Sequence, residues 1–414
     1  MHVTGYRCLA CGTSQAASFT GFTCPACGQN LELVYDYAAA AKAPWLDRHD
    51  MFRYAPLLPL RNLDLIPRVR VGQTPLYRAE RLDARSGEAQ VWVKDDGQNP
   101  SASFKDRAGA VALAVARERG ASVIAGATTG NAGSSMAGLA ASVGMNCVIF
   151  LPESAPPAKV AQLLVFGAKV IAVRGNYDQA FDLCTEVCRA RGWFNRNTGS
   201  NPFTREGKKT CSFEVWEQLG RRVPDWMVVC TGDGNIISGI WKGWRELKEM
   251  GLTTTVPKLV CAQSELSAAI SHAVWKLQKK GGLPRWSDVT IDPVSATTLA
   301  DSISVDIPRD GLAAVRAVIE SGGEAVTVPD QAILEAIPEL ARGAGVFAEP
   351  AASASWACLR ALSIAGKIKP GETAVCLVSG NGLKDVASAR RSVGNPVVID
   401  ATLDAAQRAV DQLM

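Results

Sequence analysis

Between residues 90 and 192 the chain alternates short apolar runs with amphipathic ones, and this alternation restricts the fold more than any other feature. AQVWVKDD reads as a strand and FKDRAGAVALAVARERG as a helix stopped by Gly120. SVIAGAT, NCVIFLP and KVIAVRG read as further strands, separated by helices in GNAGSSMAGLAASVG and PAKVAQLLVFG. YDQAFDLCTEVCRARG reads as the helix that follows. The pattern resumes with DWMVVCTGDGN, a helix through GWRELKEMG, KLVCAQS, a second helical region and GETAVCLVSGNG. Strands of this kind, separated by helices, form parallel sheets with right-handed crossovers. The expected fold is α/β, with two doubly wound parallel-sheet lobes and a cleft where strand ends converge.

At 414 residues the chain exceeds one ordinary core. The expected divisions are a four-cysteine segment (1–35), a lead-in with the first part of the large lobe (36–95), a small lobe (96–200), the rest of the large lobe (201–395) and a tail (396–414). Charged residues make up 20% and the net charge of +4 is spread without a basic run, so neither nucleic acid nor a membrane surface is indicated as a partner. No apolar run reaches the length of a membrane span, and MHVTGYRCLACG has no basic-then-apolar signal pattern. A cytoplasmic protein is expected.

Four of the twelve cysteines cluster in YRCLACG and FTCPACG: Cys8, Cys11, Cys24 and Cys27. Two C-x2-C pairs separated by twelve residues suit tetrahedral zinc, and four thiolates leave no open position for catalysis. A structural zinc is expected, in a piece too small to bury a core of its own; an absent metal or iron are the alternatives. The remaining eight cysteines lie mostly in apolar segments and read as small buried hydrophobes.

Four loops carry candidate chemistry. In NPSASFKDRAGA, Lys105 stands at a helix start, where the macrodipole favours anions. A lysine in that position and partly desolvated has a lowered pKa and forms Schiff bases; a chance surface lysine is the plain alternative. In AGATTGNAGSS, a buried strand runs through Thr128, Thr129, Gly130 and Asn131 into a helix of small residues, which either binds an anion or packs closely on the sheet. In VVCTGDGNIISG, Thr231, Gly232, Asp233, Gly234 and Asn235 make a phosphate cradle without the Walker or dinucleotide spacing. In AVCLVSGNGLKD, Ser379 ends a buried strand and offers a hydroxyl to a heterocyclic nitrogen, or simply begins a turn. A lysine nucleophile, a ring-hydroxyl partner, a phosphate cradle and a ring-nitrogen partner together fit pyridoxal 5'-phosphate.

These motifs resemble those of the threonine synthases, among the fold type II pyridoxal-phosphate enzymes related to the tryptophan synthase β chain. N-P-S-A-S-F-K-D-R is similar to the family's N-P-T-G-S-F-K-D-R, and landmarks run from Gly72-Gln73-Thr74-Pro75-Leu76 to Lys384-Asp385. The cysteine head is similar to that of some archaeal and bacterial members. The resemblance implies that Lys105 is the Schiff-base lysine, that Asn131 faces the ring hydroxyl, that Thr231 to Asn235 hold the phosphate and that Ser379 faces the pyridine nitrogen. It implies substrate contacts at Ser103, Thr128, Thr129, Gly130 and Arg205. It further implies a lyase-type conversion of O-phosphohomoserine and water to threonine and phosphate, in a homodimer. The stretches Asn201-Pro202 to Thr210 and Phe347 to Ala351 match further landmarks.

Two departures concern the substrate. The family motif N-P-x-R-x-E-G-x-K-T places an arginine where this chain has Thr204, with Arg205 one residue along. Residues 299–311, LADSISVDIPRDG, differ from the family's segment and bring Ser302, Ser304 and Arg309. Three readings follow: threonine synthase, a β-elimination or β-replacement enzyme acting on a serine- or threonine-like amino acid, and a catalytically silent binding module.

Overall fold

The computed structural model describes residues 2–128, 130–155 and 157–414, the last without the side chains of 157 and 158. Near the N-terminus, β1 (Val3–Cys8), β2 (Ser14–Ala16) and β3 (Leu31–Tyr35) pair antiparallel in the order β2-β1-β3. Next in the chain come β4 (Leu76–Arg78) and β5 (Gln90–Asp95). They are followed by β6 (Val123–Ala127), β7 (Asn146–Pro152), β8 (Lys169–Val173) and β9 (Phe194–Asn195), a parallel sheet in the order β8-β7-β6-β9. The second half contributes β10 (Trp226–Cys230), β11 (Lys258–Ser264), β12 (Glu324–Val328) and β13 (Thr373–Val378). These join the earlier pair in a larger sheet, β12-β11-β10-β13-β5-β4.

Helices cover both faces of the large sheet, so β10, WMVVC, is buried at every residue. Every pair in the two large sheets is parallel except β4 with β5. That antiparallel edge strand is three residues long, too short to show a period in the sequence. The helix Phe203–Lys208 likewise escapes periodicity, because all six of its residues are buried although Thr, Arg, Glu and Lys are among them. Ion pairs and close backbone packing, rather than an apolar stripe, hold it inside. A Cβ on Gly207 would lie 1.9 Å from the Arg107 carbonyl oxygen, so this helix crosses the Lys105–Glu118 helix at backbone contact. Among the described residues, no helix is long and apolar enough to cross a membrane.

Candidate active site

The carboxyl ends of strands from both sheets open on one cleft of about 460 Å³, lined by Lys105, Asn131, Ser379 and Thr231 to Asn235 together. Lys105 is the first residue of its helix. The turn before it is fixed to the end of β13: the Phe104 amide donates to Ser379 O at 2.8 Å, and the Asn381 amide to Ala102 O at 3.1 Å. Ala102 takes a left-handed φ of +60°, at the position where the family motif has glycine. Asp106 closes the turn by accepting from the Ser101 amide at 2.7 Å and its hydroxyl at 2.8 Å. Burial lowers the Lys105 pKa, opposed by the negative charge of Glu349.

The glycine loop after β10 leads into the helix Asn235–Glu249, with Gly234 at its N-cap and φ +92°. A Cβ there would lie 2.7 Å from Asp310 O, and one on Gly232 would lie 2.8 Å from Ile303 Cα. Glycine is therefore required at both positions. Asp233 accepts from the Arg309 amide at 2.6 Å. Burial, reinforced by Asp310, raises its carboxyl to about 6. Lys208 also lines the cleft and donates to the Asn235 side-chain carbonyl. Burial, with the charges of Lys105 and Arg196, takes its pKa well below the ordinary lysine value.

Asn131 begins the small-residue helix Asn131–Ser142. Its Nδ2 donates to both Glu349 carboxylate oxygens at 3.0 Å. The Glu349 amide in turn donates to Gly380 O at 3.0 Å, so the Ala348-Glu349 landmark ties Asn131 to the loop carrying Ser379. Burial raises the Glu349 pKa. Ser379 Oγ accepts from Cys230 Sγ at 3.1 Å.

The remaining motif residues form the frame behind the lysine. Arg107 pairs with Asp96 and with Glu214 at 2.6 Å each, and Lys94 pairs with Glu214 at 2.7 Å, all fully buried. The Gln73 amide donates to Glu214 at 2.8 Å and Gly72 N to Asn99 Oδ1 at 2.9 Å. A second buried network absorbs the Glu206-to-Lys209 stretch. Tyr35 donates to Glu206 at 2.7 Å, and Lys209 pairs with Glu206 and Glu246.

In the N-terminal four-cysteine ribbon formed around β1, β2 and β3, the sulfur atoms of Cys8, Cys11, Cys24 and Cys27 all lie within 4.8 Å of one another, a set that can hold a metal ion. The other eight cysteines are buried.

The structure brings together Lys105, Thr128, Gly130, Asn131, Thr231 to Asn235 and Ser379; Thr129 lies outside the described residues. Two expected substrate contacts, Arg205 and Ser103, do not line the cleft. Arg205 lies outside the cleft lining, because Asp310 at 2.5 Å, Leu31 O and Ser238 hold its guanidinium beneath the ribbon. Ser103 is fully buried in the turn, bridged to Gly380. Sequence reasoning named no role for Lys208 or Glu349, although both stand in quoted landmarks. It also passed over Arg196 and Tyr177, which line the cleft from a strand end and a helix start without any local motif.

Residues 68–380 match the model of a family described as pyridoxal-phosphate dependent enzyme. The chain is 35% identical over 413 residues to a threonine synthase of Methanocaldococcus jannaschii, covering 98% of this chain and 99% of that one. It is 36% identical to a threonine synthase of Methanosarcina acetivorans over 98% of both. Among solved structures, it is similar to diaminopropionate ammonia lyase from Escherichia coli, with a TM-score of 0.66 and 17% identity over 91% of this chain and 94% of that one. It is also similar to threonine deaminase isoform 2 from Solanum lycopersicum, with a TM-score of 0.65 and 19% identity over 86% and 87%. At that identity the structural likeness shows the shared fold alone, whereas the sequence matches extend over nearly the whole chain. The chain belongs to the threonine synthase family of pyridoxal-phosphate-dependent enzymes.

Proposed function

We propose that this chain converts O-phosphohomoserine and water to threonine and phosphate, with pyridoxal 5'-phosphate held in the cleft at Lys105. One observation carries the reading: Lys105, Asn131, Ser379 and the glycine loop, from four distant parts of the chain, line a single cavity. The residues fit the cofactor. Where Gly232 and Gly234 leave no room for a Cβ, bare backbone faces the cleft at a helix start, a setting for phosphate. Thr231 to Asn235, with Lys208 beside them, would hold that phosphate. Asn131, oriented by Glu349, would serve the ring hydroxyl, and Ser379 the ring nitrogen as a neutral partner.

Bound pyridoxal phosphate supplies an electron sink for negative charge on the amino-acid carbons. The chain supplies attachment, orientation and proton movement. Lys105 takes and returns the proton in this reading, and burial lowers its pKa in the direction that favours the neutral amine. None of the three histidines lines the cleft. Thr128, Gly130 and Asn131 would seat the substrate carboxylate at the start of the Asn131–Ser142 helix.

Cys8, Cys11, Cys24 and Cys27 hold a structural zinc in this reading, supported by their mutual approach and by the absence of an open ligand position. A homodimer rests on the family resemblance, and a cytoplasmic location on the eight buried free cysteines, which suit a reducing compartment.

Incubating the cofactor-loaded protein with O-phosphohomoserine tests the activity. Equimolar threonine and phosphate are expected, and neither from Lys105→Ala. No release, with turnover of serine or O-phosphoserine instead, would replace the reading with β-elimination or β-replacement.

A further inference from the structure

Arg196 is a buried cation without a matching anion. Its amide donates to Ala125 O at 2.8 Å, which fixes the backbone at the end of β9. The residue is 3% exposed and lines the cleft. Nη1 donates to Thr198 Oγ1 at 3.1 Å, while Nε and Nη2 have no hydrogen-bond partner among the described residues. Nε–H and Nη2–H lie along one edge of a guanidinium, the edge that makes paired bonds to a phosphate or carboxylate. Burial brings the group down only to about 10, so it remains charged at neutral pH. A charged, desolvated fork left without partners beside a cavity is costly unless an anion reaches it.

Two phosphates are expected in this cleft under the proposed function, and their placements differ. The cofactor phosphate has the glycine loop and Lys208, whose ammonium bonds Asn235 at the start of the loop's helix. Arg196 directly follows β9 of the other sheet and lines the cleft with Thr198 and Tyr177. The position where the family motif carries arginine is occupied here by Thr204, whose hydroxyl donates to Asn201 O at 2.8 Å and lies 3.2 Å from Asn235 Oδ1. The neighbouring Arg205 is spent on Asp310. The motif's one cation in the cleft, Lys208, is engaged with Asn235 at the glycine loop, and Arg196 brings a further cation from a different element.

We infer that Arg196, supported by Thr198, binds the phosphate of the substrate through Nε and Nη2, replacing the arginine missing at position 204. The inference rests on the O-phosphohomoserine reading.

The test compares wild-type holoenzyme with Arg196→Gln and Arg196→Lys. In the glutamine variant the KM for O-phosphohomoserine and the inhibition constant of inorganic phosphate rise in parallel, by about 30-fold or more. Lysine recovers part of both. Cofactor affinity, followed by visible absorbance, stays at the wild-type level. The melting temperature of the glutamine variant is equal to or above that of wild type, because an unpaired buried charge has been removed. Unchanged KM and phosphate inhibition would overturn the inference. So would lost cofactor affinity with unchanged phosphate inhibition, which would assign Arg196 to the cofactor. If wild type releases no phosphate from O-phosphohomoserine, the functional reading fails separately. Binding of inorganic phosphate to wild type but not to Arg196→Gln still decides whether Arg196 forms an anion clamp.

Discussion

Asn30 donates its side-chain amide to the Asp310 carboxylate at 2.8 Å, and this bond joins the four-cysteine ribbon to the residues behind the glycine loop. Asp310 also accepts from Arg205 at 2.5 Å, and from Asn235 and Ser238 at 2.7 Å each. Asn235 opens the helix behind the glycine loop. The ribbon thus braces the proposed phosphate site three residues beyond its last cysteine.

Asn30→Ala should therefore weaken more than the ribbon. Removing one partner of a buried carboxylate costs about 1–3 kcal/mol. The expected result is a lower melting temperature and weaker cofactor retention, reproduced by a chelator if the four cysteines hold the proposed zinc. Unchanged cofactor affinity in both cases would disconnect the ribbon from the site.

Arg107 carries the second prediction. Arg107→Gln leaves Asp96 and Glu214 buried with much of their positive charge gone. Breaking a buried pair in this way costs about 3–5 kcal/mol. Urea unfolding should show that loss. A variant within about 1 kcal/mol of wild type would mean that Lys94 alone satisfies Glu214.

Stability should depend on acid in two opposed ways. Burial would raise the Glu214 carboxyl, but Arg107 and Lys94 outweigh it and hold it at about 2. Glu32 is brought to about 2 in the same way, by Arg245, Lys242 and Arg205 against burial. Both folded values lie below the ordinary 4.5, so their stabilisation is complete above that pH and is lost as pH falls towards 2. Asp233 has the other sign. Its folded carboxyl is raised from 3.8 to about 6, so the folded state holds the extra proton and stability declines as pH rises through that window. Urea midpoints of cofactor-free protein measured against pH should show the acid loss, and Asp233→Asn should flatten the decline between 4 and 6. An unchanged slope in that variant would locate the titration elsewhere.

Ala102 adopts a conformation that suits glycine. Ala102→Gly should raise stability by about 0.5–1 kcal/mol, the left-handed strain exceeding glycine's entropic cost. Ala102→Val should lower both stability and activity, since the turn sets the direction of Lys105. Thermal unfolding of the two variants checks the sign.

Legibility in the sequence followed the physics of each element. β6, β7, β10, β11 and β13 were readable because strands buried on both faces are continuous apolar runs. Lys105, Asn131 and Ser379 were readable because each ends a strand or opens a helix within a short motif. The Phe203–Lys208 helix was not, since ion pairs bury it. Arg196 and Tyr177 reach the cleft only through tertiary packing, and a single arginine after a two-residue strand leaves no pattern to detect. Arg205 turns to Asp310 rather than to the cleft lining because adjacent residues on a helix point about 100° apart, a direction that proximity in sequence to position 204 does not reveal.

Among the described residues two lysines line the cleft, Lys105 and Lys208, and both are lowered by burial. Reducing the holoenzyme with borohydride and mapping the pyridoxyl label by peptide mass spectrometry separates them. The account predicts label on the peptide carrying Lys105, absent from Lys105→Ala and retained at Lys105 in Lys208→Met. Label on Lys208 would contradict the assignment of the lysine on which the proposed reaction depends.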